Sequence, residues 1–417
     1  MIHKQILGHI TQCQICGDKD FVTILSFGHH APVHAHLTKE GILKPEVSYP
    51  LNFCRCNKCG LLQLDYIVDP KVVFSSTYPY YTGMTKMLVR NFLSLRDVLV
   101  DKYKLTQNDL VIDIGSNDGT LLQGFKEKGI QVLGIEPTDV AKVAIKNGIP
   151  TMQEFFNEEI VSKIAEKYGH AKIITGANVF AHIPDPISLA RAIRELLSDD
   201  GIFVSESQYL LDTVEKGSFD MIYDEHLRYY SLKPMIELFK RSGMHIIHAE
   251  RIDAAGGSIR VYASKAKYPV SDSVDNLIAK EERAGLYNID TFKKFSKRAY
   301  EVKHDLMSLV LKCKEGGNRI VGIGAPGRSN TLLQFINIDN YFIDYACERK
   351  GSPKIGLLTP GTHIPIVDEE ILFREQPEYG LLLSWHIGDE LMKKLRDLGY
   401  KGKFIVPLPK PRIIDDI

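Results

Sequence analysis

Four cysteines near the start of the chain form two C-x-x-C pairs, Cys13 with Cys16 and Cys56 with Cys59. Each pair offers two thiolates from one tight turn, and two such turns complete the sulfur tetrahedron of a structural Zn²⁺ site. A glycine follows the second cysteine of each pair, which suits the left-handed backbone of these turns. The spacing predicts a zinc-stapled N-terminal module, and buried free thiols are the alternative interpretation.

Other side chains near these pairs could compete as ligands. Cys54 lies two residues before Cys56, but only Cys56 completes a C-x-x-C pair, so we predict Cys56 as the ligand. Histidines are also frequent here: His29, His30, His34 and His36. We expect them to be surface or packing residues, because four thiolates already fill a tetrahedral shell.

Length and composition narrow the class of protein. The 417 residues exceed one ordinary core, so two or three domains are expected. Hydrophobic residues (44%) and charged residues (25%) are in globular proportions, and the 52 basic residues balance the 52 acidic ones. This balance argues against a nucleic-acid or anionic-membrane partner. A polar N-terminus, the lack of a long apolar run and the scattered remaining cysteines lead us to expect a cytoplasmic protein with reduced thiols. We also expect a monomer.

Hydrophobic patterning predicts an α/β protein in three parts. Residues 1–75 should form a small zinc-binding β-ribbon module. Residues 76–268 alternate apolar strands with helices, which is typical of a parallel Rossmann-like sheet. Residues 269–417 begin with a helical stretch, with Asp290 as its expected N-cap and a glycine pair from Gly316 as its end. A second Rossmann-like unit follows, with strands expected at 319–324, 342–345, 381–384 and 403–406.

The first glycine loop, 113–119, indicates a cofactor. It carries Asp113, Gly115, Asn117, Asp118 and Gly119, and the next expected strand ends at Glu136. A carboxylate at that place can bind a ribose diol, as in sites for NAD, FAD or S-adenosylmethionine (SAM). The loop lacks the middle glycine of a pyrophosphate cradle, and its acids suit a cationic ligand. We therefore predict SAM, with a dinucleotide or a ligand-free turn as alternatives.

A cluster of proton-transfer groups follows later in the chain, at Tyr223, Glu225 and His226. An imidazole suits proton abstraction at neutral pH, a carboxylate can orient it, and a phenol can donate to a developing oxyanion. Ordinary hydrogen bonding on a loop is the alternative. His182 follows a strand at the edge where ligands collect, but it could equally fix its own loop.

An aromatic turn, Tyr78-Pro79-Tyr80, precedes the predicted cofactor domain. Its tyrosines could reach a substrate or pack across the junction with the zinc module. Near the other end, Gly322-x-Gly324-x-x-Gly327 matches a dinucleotide fingerprint after a strand. By itself it supports a nicotinamide-dependent oxidoreductase or a bifunctional enzyme. A zinc-ribbon binding protein with a degenerate SAM fold is the non-enzyme alternative.

Taken in order, these motifs resemble the sugar C-methyltransferases of deoxysugar biosynthesis, which act on dTDP-4-keto sugars. The resemblance runs from the cysteine pairs through Tyr78–Tyr80, the loop 113–119 and the segment 219–226 to the glycine loop 322–328 and residues 360–365. It implies a zinc module, a SAM domain and a C-terminal Rossmann-like domain that helps to hold a nucleotide sugar. The implied reaction is C-methylation beside a ketone, with C-3 expected and C-5 as the alternative, and the nucleotide is dTDP, GDP or another.

The resemblance also assigns roles to residues of this chain. It implies His226 as the base with Glu225 beside it. Tyr223, Tyr78, Tyr80 and His182 match active-site positions. SAM would be bound by Asp113, Gly115, Asn117, Asp118, Gly119, Glu136 and Asn178, and the nucleotide sugar by Gly324, Arg328 and Glu348. Arg328 stands where the family commonly has Lys, Glu348 where it has Asp, and the stretch His34-Ala35-His36 also departs from the family pattern.

Overall fold

The computed structural model describes residues 7–73, 81–84 and 86–415. The chain forms two compact units, each assembled from separate stretches. Of the described residues, the first unit holds those within 1–22, 54–212 and 227–287, and the second holds those within 23–53, 213–226 and 288–417. These limits differ from the three consecutive domains expected above, so that division stays a prediction. Within the described ranges, no helix is long and apolar enough to cross a membrane.

The strands are β1 Gly8–His9, β2 Phe21–His30, β3 Tyr49–Cys56, β4 Leu62–Leu64, β5 Tyr66–Ile67, β6 Leu110–Ile114, β7 Gln131–Ile135, β8 Thr151–Met152, β9 Ala171–Ala177, β10 Leu197–Gln208, β11 Arg228–Tyr229, β12 His245–Ile252, β13 Ser258–Ser264, β14 Ile320–Ile323, β15 Ala346–Glu348, β16 Ile366–Asp368, β17 Tyr379–Leu382, β18 Lys403–Val406 and β19 Arg412–Ile414. The helices are α1 Pro70–Val73, α2 Lys86–Tyr103, α3 Thr120–Glu127, α4 Ala141–Lys146, α5 Glu158–Tyr168, α6 Pro186–Leu196, α7 Leu210–Lys216, α8 Leu232–Arg241, α9 Asp272–Arg283, α10 Ile289–Glu315, α11 Gly327–Ile336, α12 Glu370–Glu375 and α13 Gly388–Asp397.

A seven-stranded sheet forms the centre of the first unit, in the order β12-β13-β10-β9-β6-β7-β8. The five strands from β10 to β8 run parallel, while β13 is antiparallel to both of its neighbours. Every residue of β6 is buried, as expected for a central strand covered by helices on both faces. Parallel strands joined by helices place their carboxyl ends at one edge, where the loops after β6, β7 and β9 meet.

Around the cysteine pairs, the first unit has short strands that pair with one another. β1 pairs with β5, and β4 pairs with β11, both antiparallel. Gly17 and Gly60, which follow the two C-x-x-C pairs, have φ angles of +72° and +77°. An L side chain rarely adopts this conformation, so the glycines fit the turns as the sequence predicts.

The second unit contains a six-stranded sheet in the order β16-β15-β14-β17-β18-β19, parallel except for β19. The glycine loop joins β14 to α11. The long helix α10 begins one residue before Asp290. Asn288 is its N-cap, and the Asn288 side-chain oxygen accepts a hydrogen bond from the Asp290 amide. The expected cap at Asp290 is therefore wrong, whereas the end at Gly316 is confirmed. The expected strand at 342–345 is also wrong, since β15 begins at Ala346.

Candidate functional site

The four predicted cysteines form one cluster. Their sulfur atoms all lie within 4.8 Å of one another, with Cys13 Sγ 3.6 Å from Cys59 Sγ and Cys16 Sγ 3.5 Å from Cys56 Sγ. Four thiolates around a zinc ion would be about 3.8 Å apart, since Zn–S bonds are about 2.3 Å. The donor set therefore fits tetrahedral zinc with no open position. Cys54 is not part of this cluster.

One buried side chain joins the first cysteine turn to another loop of the same unit. Gln14 lies inside the Cys13–Cys16 turn, and its side-chain oxygen accepts a 2.6 Å hydrogen bond from Arg228 Nη1. The same guanidinium donates to the carbonyl oxygens of Phe180 and Ile183. These carbonyls flank His182, so the zinc turn supports the loop that carries this histidine. The sequence gives no sign of the role of Arg228, because a basic residue on a short strand is usually exposed.

A pocket opens at the carboxyl edge of the seven-stranded sheet. It is lined by Thr82, Leu88, Phe92, Asp113, Ile114, Gly115, Ser116, Asn117, Ile135, Glu136, Pro137, Thr138, Phe155, Phe156, Ala177, Asn178, Val179, His182 and Ile183. Gly115 has φ +69°, and a Cβ there would lie 2.8 Å from the Val179 side chain. Aromatic and apolar walls with a few convergent polar groups are typical of a cofactor site. Predicted cofactor residues Asp113, Gly115, Asn117, Glu136 and Asn178 meet in this pocket.

Glu136 is buried at the end of β7 and already orders the pocket floor. One carboxylate oxygen accepts from the Asn117 amide at 3.1 Å. The other accepts from the Thr138 amide at 2.9 Å and from its hydroxyl at 2.6 Å. A carboxylate has about four acceptor sites and three are in use, so Oε2 keeps capacity for one further donor, such as a ribose hydroxyl. The residue therefore both holds the loop and faces the ligand space.

Asp113 lies at the base of the same pocket. Burial raises the pKa of Asp113 to about 7, and the charges of Glu136 and Glu206 act in the same direction. The Thr175 hydroxyl, which donates to Asp113 at 2.6 Å, partly opposes this shift. A cation beside Asp113 would stabilise the ionised form of this buried carboxyl. The acidic floor therefore suits a ligand with an ammonium or sulfonium group.

Two predicted cofactor residues are not among those that line the pocket. Asp118 accepts from the amide and hydroxyl of Thr120, the first residue of α3, and from the amide of Gly83 at 2.8 Å. Gly119 has φ +79°, and a Cβ there would lie 3.0 Å from the Ile149 side chain. These contacts start the helix and hold the segment 82–83. A direct contact of either residue with the cofactor stays a prediction.

The second unit carries the predicted base. His226 is 9% exposed, and its ring stacks on Tyr223 with the centroids 4.1 Å apart. Its Nδ1 lies 3.3 Å from the carbonyl oxygen of Met221, and its Nε2 lies 3.0 Å from the Tyr223 hydroxyl. A carbonyl can only accept, so the neutral ring carries its proton on Nδ1. Nε2 then accepts from Tyr223 and has the lone pair that a base needs.

The neighbours of His226 are held by the stretch that carries His34 and His36. His34 Nε2 lies 3.4 Å from a carboxylate oxygen of Glu225. The amide of Val33 donates to Asp224 at 3.1 Å, and burial raises the pKa of Asp224 to about 6. Burial also lowers the pKa of His36 to about 4. The expectation that these histidines are packing residues describes His36, whereas His34 contacts a predicted catalytic residue.

The glycine loop of the second unit has acidic and basic side chains around it. Gly324 has φ +81°, and a Cβ there would lie 2.3 Å from the Ser384 hydroxyl. Glu348 accepts from the Ala325 amide at 3.0 Å, and Lys354 donates to the Ala325 carbonyl at 2.7 Å. Burial lowers the pKa of Lys354. Gly324 and Glu348 thus lie at one loop. Lys354 lies there as well, although no sequence motif predicts it.

The side chain of Arg328 forms an ion pair with a buried acidic residue, Asp220. Its Nε and Nη2 each donate at 2.8 Å to the carboxylate of Asp220, which also accepts at 2.8 Å from the Trp385 indole. Asp220 lies within the segment 219–226, but nothing in the sequence pairs it with Arg328, and Trp385 belongs to no motif. Tyr78 and Tyr80 lie outside the described residues.

Three domain families match the chain. A zinc binding domain matches residues 13–74, a methyltransferase domain matches residues 90–249, and a C-methyltransferase C-terminal domain matches residues 253–409. They occur in the order expected from the sequence. The first match contains all four cysteines of the cluster, and the second contains every residue of the pocket except Thr82 and Leu88.

Among curated proteins, the C-methyltransferase NovU of Streptomyces niveus is 32% identical over 415 residues, covering 99% of this chain and 98% of NovU. An Escherichia coli ubiquinone biosynthesis O-methyltransferase is 29% identical over 131 residues, covering 27% of this chain and 54% of the enzyme. Among solved structures, a SAM-dependent methyltransferase from Anabaena variabilis covers 41% of this chain and 83% of its own, with 16% identity and a TM-score of 0.34.

Proposed function

The chain belongs to the C-methyltransferase family, and from this premise we propose that it methylates a nucleotide-linked 4-keto-deoxysugar at the carbon beside the ketone, C-3. It is a SAM-dependent C-methyltransferase with a structural zinc module. The matched families give no support to a nicotinamide-dependent oxidoreductase or to a zinc-ribbon binding protein. The sugar and the position of methylation are the parts that we propose.

Bound SAM supplies an electrophilic methyl group on a sulfonium centre. We propose that Glu136 binds its ribose and that Asp113 faces its cationic groups. The loop residues Gly115, Asn117 and Asn178 would let the backbone approach the cofactor closely. This assignment is supported by the acidic floor of the pocket and by the apolar walls that Phe92, Phe155 and Phe156 add. Asp118 and Gly119 would contribute indirectly, because their contacts fix the conformation of the loop that binds the cofactor.

The base in this proposal is His226. A carbon next to a ketone is acidic enough for an imidazole to remove its proton once the enolate is stabilised. Nε2 of His226 is the acceptor, because Nδ1 faces the Met221 carbonyl. The Tyr223 hydroxyl, 3.0 Å from Nε2, would turn to donate to the enolate oxygen. The electron pair of the carbanion would form the new C–C bond to the methyl group while the C–S bond breaks and its electron pair returns to sulfur, so that neutral S-adenosylhomocysteine is the leaving group.

The remaining predicted residues would assist the base or bind the cofactor and the substrate. Glu225, with His34 beside it, would favour the charged form of the His226 ring after proton transfer. His182 lines the cofactor pocket and would face the reacting atoms. Tyr78 and Tyr80 would contact the sugar. The nucleotide would bind at the glycine loop of the second unit, near Gly324 and Glu348, and the earlier assignment of Arg328 to the nucleotide stays a prediction.

One observation carries the catalytic part of this proposal: a buried imidazole whose Nδ1 faces the Met221 carbonyl and whose Nε2 faces the Tyr223 hydroxyl. Solvent deuterium exchange tests it directly. A dTDP-4-keto-6-deoxysugar is incubated in D₂O with the enzyme and S-adenosylhomocysteine, which has no methyl group to transfer. We expect deuterium at C-3 with the native enzyme and none with His226→Asn. Exchange that persists in the variant would contradict the role of His226.

A further inference from the structure

Asp220 is a fully buried carboxylate that receives three hydrogen bonds from two side chains. Arg328 donates to both oxygens, Nε to Oδ2 and Nη2 to Oδ1, each at 2.8 Å. The indole nitrogen of Trp385 donates to Oδ2, also at 2.8 Å. The Arg328 guanidinium in turn lies over the Trp385 ring, 5.0 Å from its centroid. The three side chains therefore form one closed group around a charge that could not be buried alone.

Asp220 occupies a sensitive place in the chain. It is the middle residue of the 3-10 turn Phe219–Met221. The next residue, Met221, presents the carbonyl that faces Nδ1 of His226 at 3.3 Å. A shift of this turn would move that carbonyl and release the constraint on which ring nitrogen carries the proton. The geometry thus links the Asp220 carboxylate through Met221 to Nδ1 of His226, and the proton on Nδ1 in turn leaves Nε2 as the accepting nitrogen.

The same contacts bear on how Arg328 can be used. The fork formed by Nε and Nη2 is the part of a guanidinium that grips a phosphate with two parallel bonds. In this structure that fork grips Asp220. Arg328 is also the second residue of α11, which starts directly at the glycine loop. Its side chain consequently ties the start of this helix to the turn that precedes His226.

We propose that Arg328 and Trp385 are positioning residues that act through Asp220 to hold the Met221 carbonyl, and so to keep Nε2 of His226 unprotonated. This inference rests on the proposed function, because it assumes that His226 is the base. It gives Arg328 a role different from binding the nucleotide phosphates. It also gives a role to the single tryptophan of the chain, which no motif singles out.

Three substitutions separate the parts of this group. Asp220→Asn keeps the shape but removes the charge, Trp385→Phe keeps a ring under the guanidinium but removes the indole donor, and Arg328→Lys loses the fork. Arg374→Lys is the matched control, because Arg374 is an exposed arginine of the same unit that pairs with Glu375. Trp385→Phe is the mildest change and keeps the test usable if Asp220→Asn folds poorly.

The first readout is kinetic. We expect Asp220→Asn and Trp385→Phe to lower kcat for methyl transfer at least tenfold, with KM for SAM and the Kd of free dTDP within twofold of the native values. Arg328→Lys should also lower kcat and leave dTDP binding unchanged, and Arg374→Lys should change nothing. Asp220→Asn combined with Arg328→Lys should lose little more than either alone, because the residues act as a unit. A tenfold weaker dTDP affinity in Arg328→Lys with an unchanged kcat would overturn the proposal.

The second readout is the tautomer itself and needs no substrate. Protein labelled with ¹⁵N-histidine gives ring signals for its 14 histidines, and the His226 pair is assigned by its loss in His226→Asn. We expect a protonated Nδ1 in the native protein and a mixture of tautomers in Asp220→Asn and Trp385→Phe. An unchanged tautomer in both variants would overturn the inference. If His226→Asn instead keeps full methyl transfer, the proposed base fails, and this outcome is distinct from failure of the positioning group.

Discussion

Nε2 of His226 lies 3.0 Å from the hydroxyl oxygen of Tyr223. Two residues that are three apart in sequence thereby form a donor–acceptor pair whose ring centroids are 4.1 Å apart. Such a pair holds both groups needed to make an enolate: a base for the carbon-bound proton and a donor for the oxygen. His226 is buried and Tyr223 is partly buried, so their electrostatic interaction is stronger than on a fully exposed surface.

Removing either member of this pair should slow methyl transfer to different degrees. His226→Asn should lower kcat by about 10²–10⁴-fold, which is the usual contribution of a general base. Tyr223→Phe should cost less, because only one donor to the enolate oxygen is lost. Steady-state kinetics with SAM and a nucleotide-linked 4-keto sugar measure both effects. Calorimetric titration with SAM serves as the control, since the Kd should stay unchanged. A larger loss with Tyr223→Phe than with His226→Asn would reverse the proposed roles.

Glu136→Ala should weaken SAM binding about 10- to 100-fold, as expected when hydrogen bonds to a charged group worth about 1.5–3 kcal/mol are lost. The residue both faces the pocket and holds the amides of Asn117 and Thr138. Glu127→Ala is the matched control, because Glu127 is an exposed residue at the end of α3. Isothermal titration calorimetry measures both. Equal SAM affinities for Glu136→Ala and the native protein would remove Glu136 from the cofactor site.

The zinc site predicts opposite results for two buried cysteines. Cys13→Ser should lower the zinc content and the folded yield, since it removes one of four thiolates. Cys54→Ser is the control: it alters a buried cysteine outside the cluster and should keep one zinc per chain. Metal analysis of the purified proteins by mass spectrometry decides between them. Zinc loss in Cys54→Ser, with retention in Cys13→Ser, would mean that the ligand set is wrong.

Binding of SAM should depend on pH through Asp113. The pKa of Asp113 is raised to about 7 from an ordinary value of 3.8, so the carboxyl is largely protonated at pH 6 without ligand. A cationic ligand favours the ionised form, so SAM affinity should rise between pH 6 and pH 8 and then level off. Titrations across this range measure the effect. Asp113→Asn should give a flat profile, and a native profile that is equally flat would contradict a cation beside this carboxyl.

Through Asp113, the free energy of unfolding should fall with rising pH, whereas SAM affinity rises. Its folded pKa lies above its unfolded value, so the folded protein binds more protons between pH 4 and pH 7. The contribution of Asp113 to the free energy of unfolding should then fall as pH rises through this range. Asp113→Asn removes that slope. Urea unfolding of the ligand-free protein at pH 5 and pH 8 should show a smaller difference in the variant than in the native chain.

Local chemistry made much of the fold predictable. The C-x-x-C pairs carry their metal geometry in their spacing, and the alternation of apolar strands with helices predicts both parallel sheets. The predictions that were wrong concern the limits of single elements. Asn288 and Asp290 are both good N-caps, and only the packing of α10 decides between them. The apolar stretch 342–345 has the composition of a strand, but the chain pairs with β14 only from Ala346 onward.

The candidate site was predictable where motifs concentrate and hidden where single residues act at long range. The loop 113–119 and the segment 223–226 are recognisable in the sequence because polar groups are dense in both. Asp220 and Trp385 do not, because they are 165 positions apart and meet only in the folded chain. Arg328 shows the same limit: a basic residue in a glycine loop suggests a phosphate, and its buried acidic partner cannot be read from the sequence.

The most direct test of the proposed reaction is mass spectrometry of a panel of dTDP- and GDP-linked 4-keto-6-deoxysugars after incubation with SAM and the enzyme, with His226→Asn as the control. We predict the gain of one methyl group on carbon in one sugar of the panel, with the native enzyme alone. Methyl gain on no sugar, by a protein that binds SAM in calorimetry, would contradict the assignment of a nucleotide-linked keto sugar as the substrate.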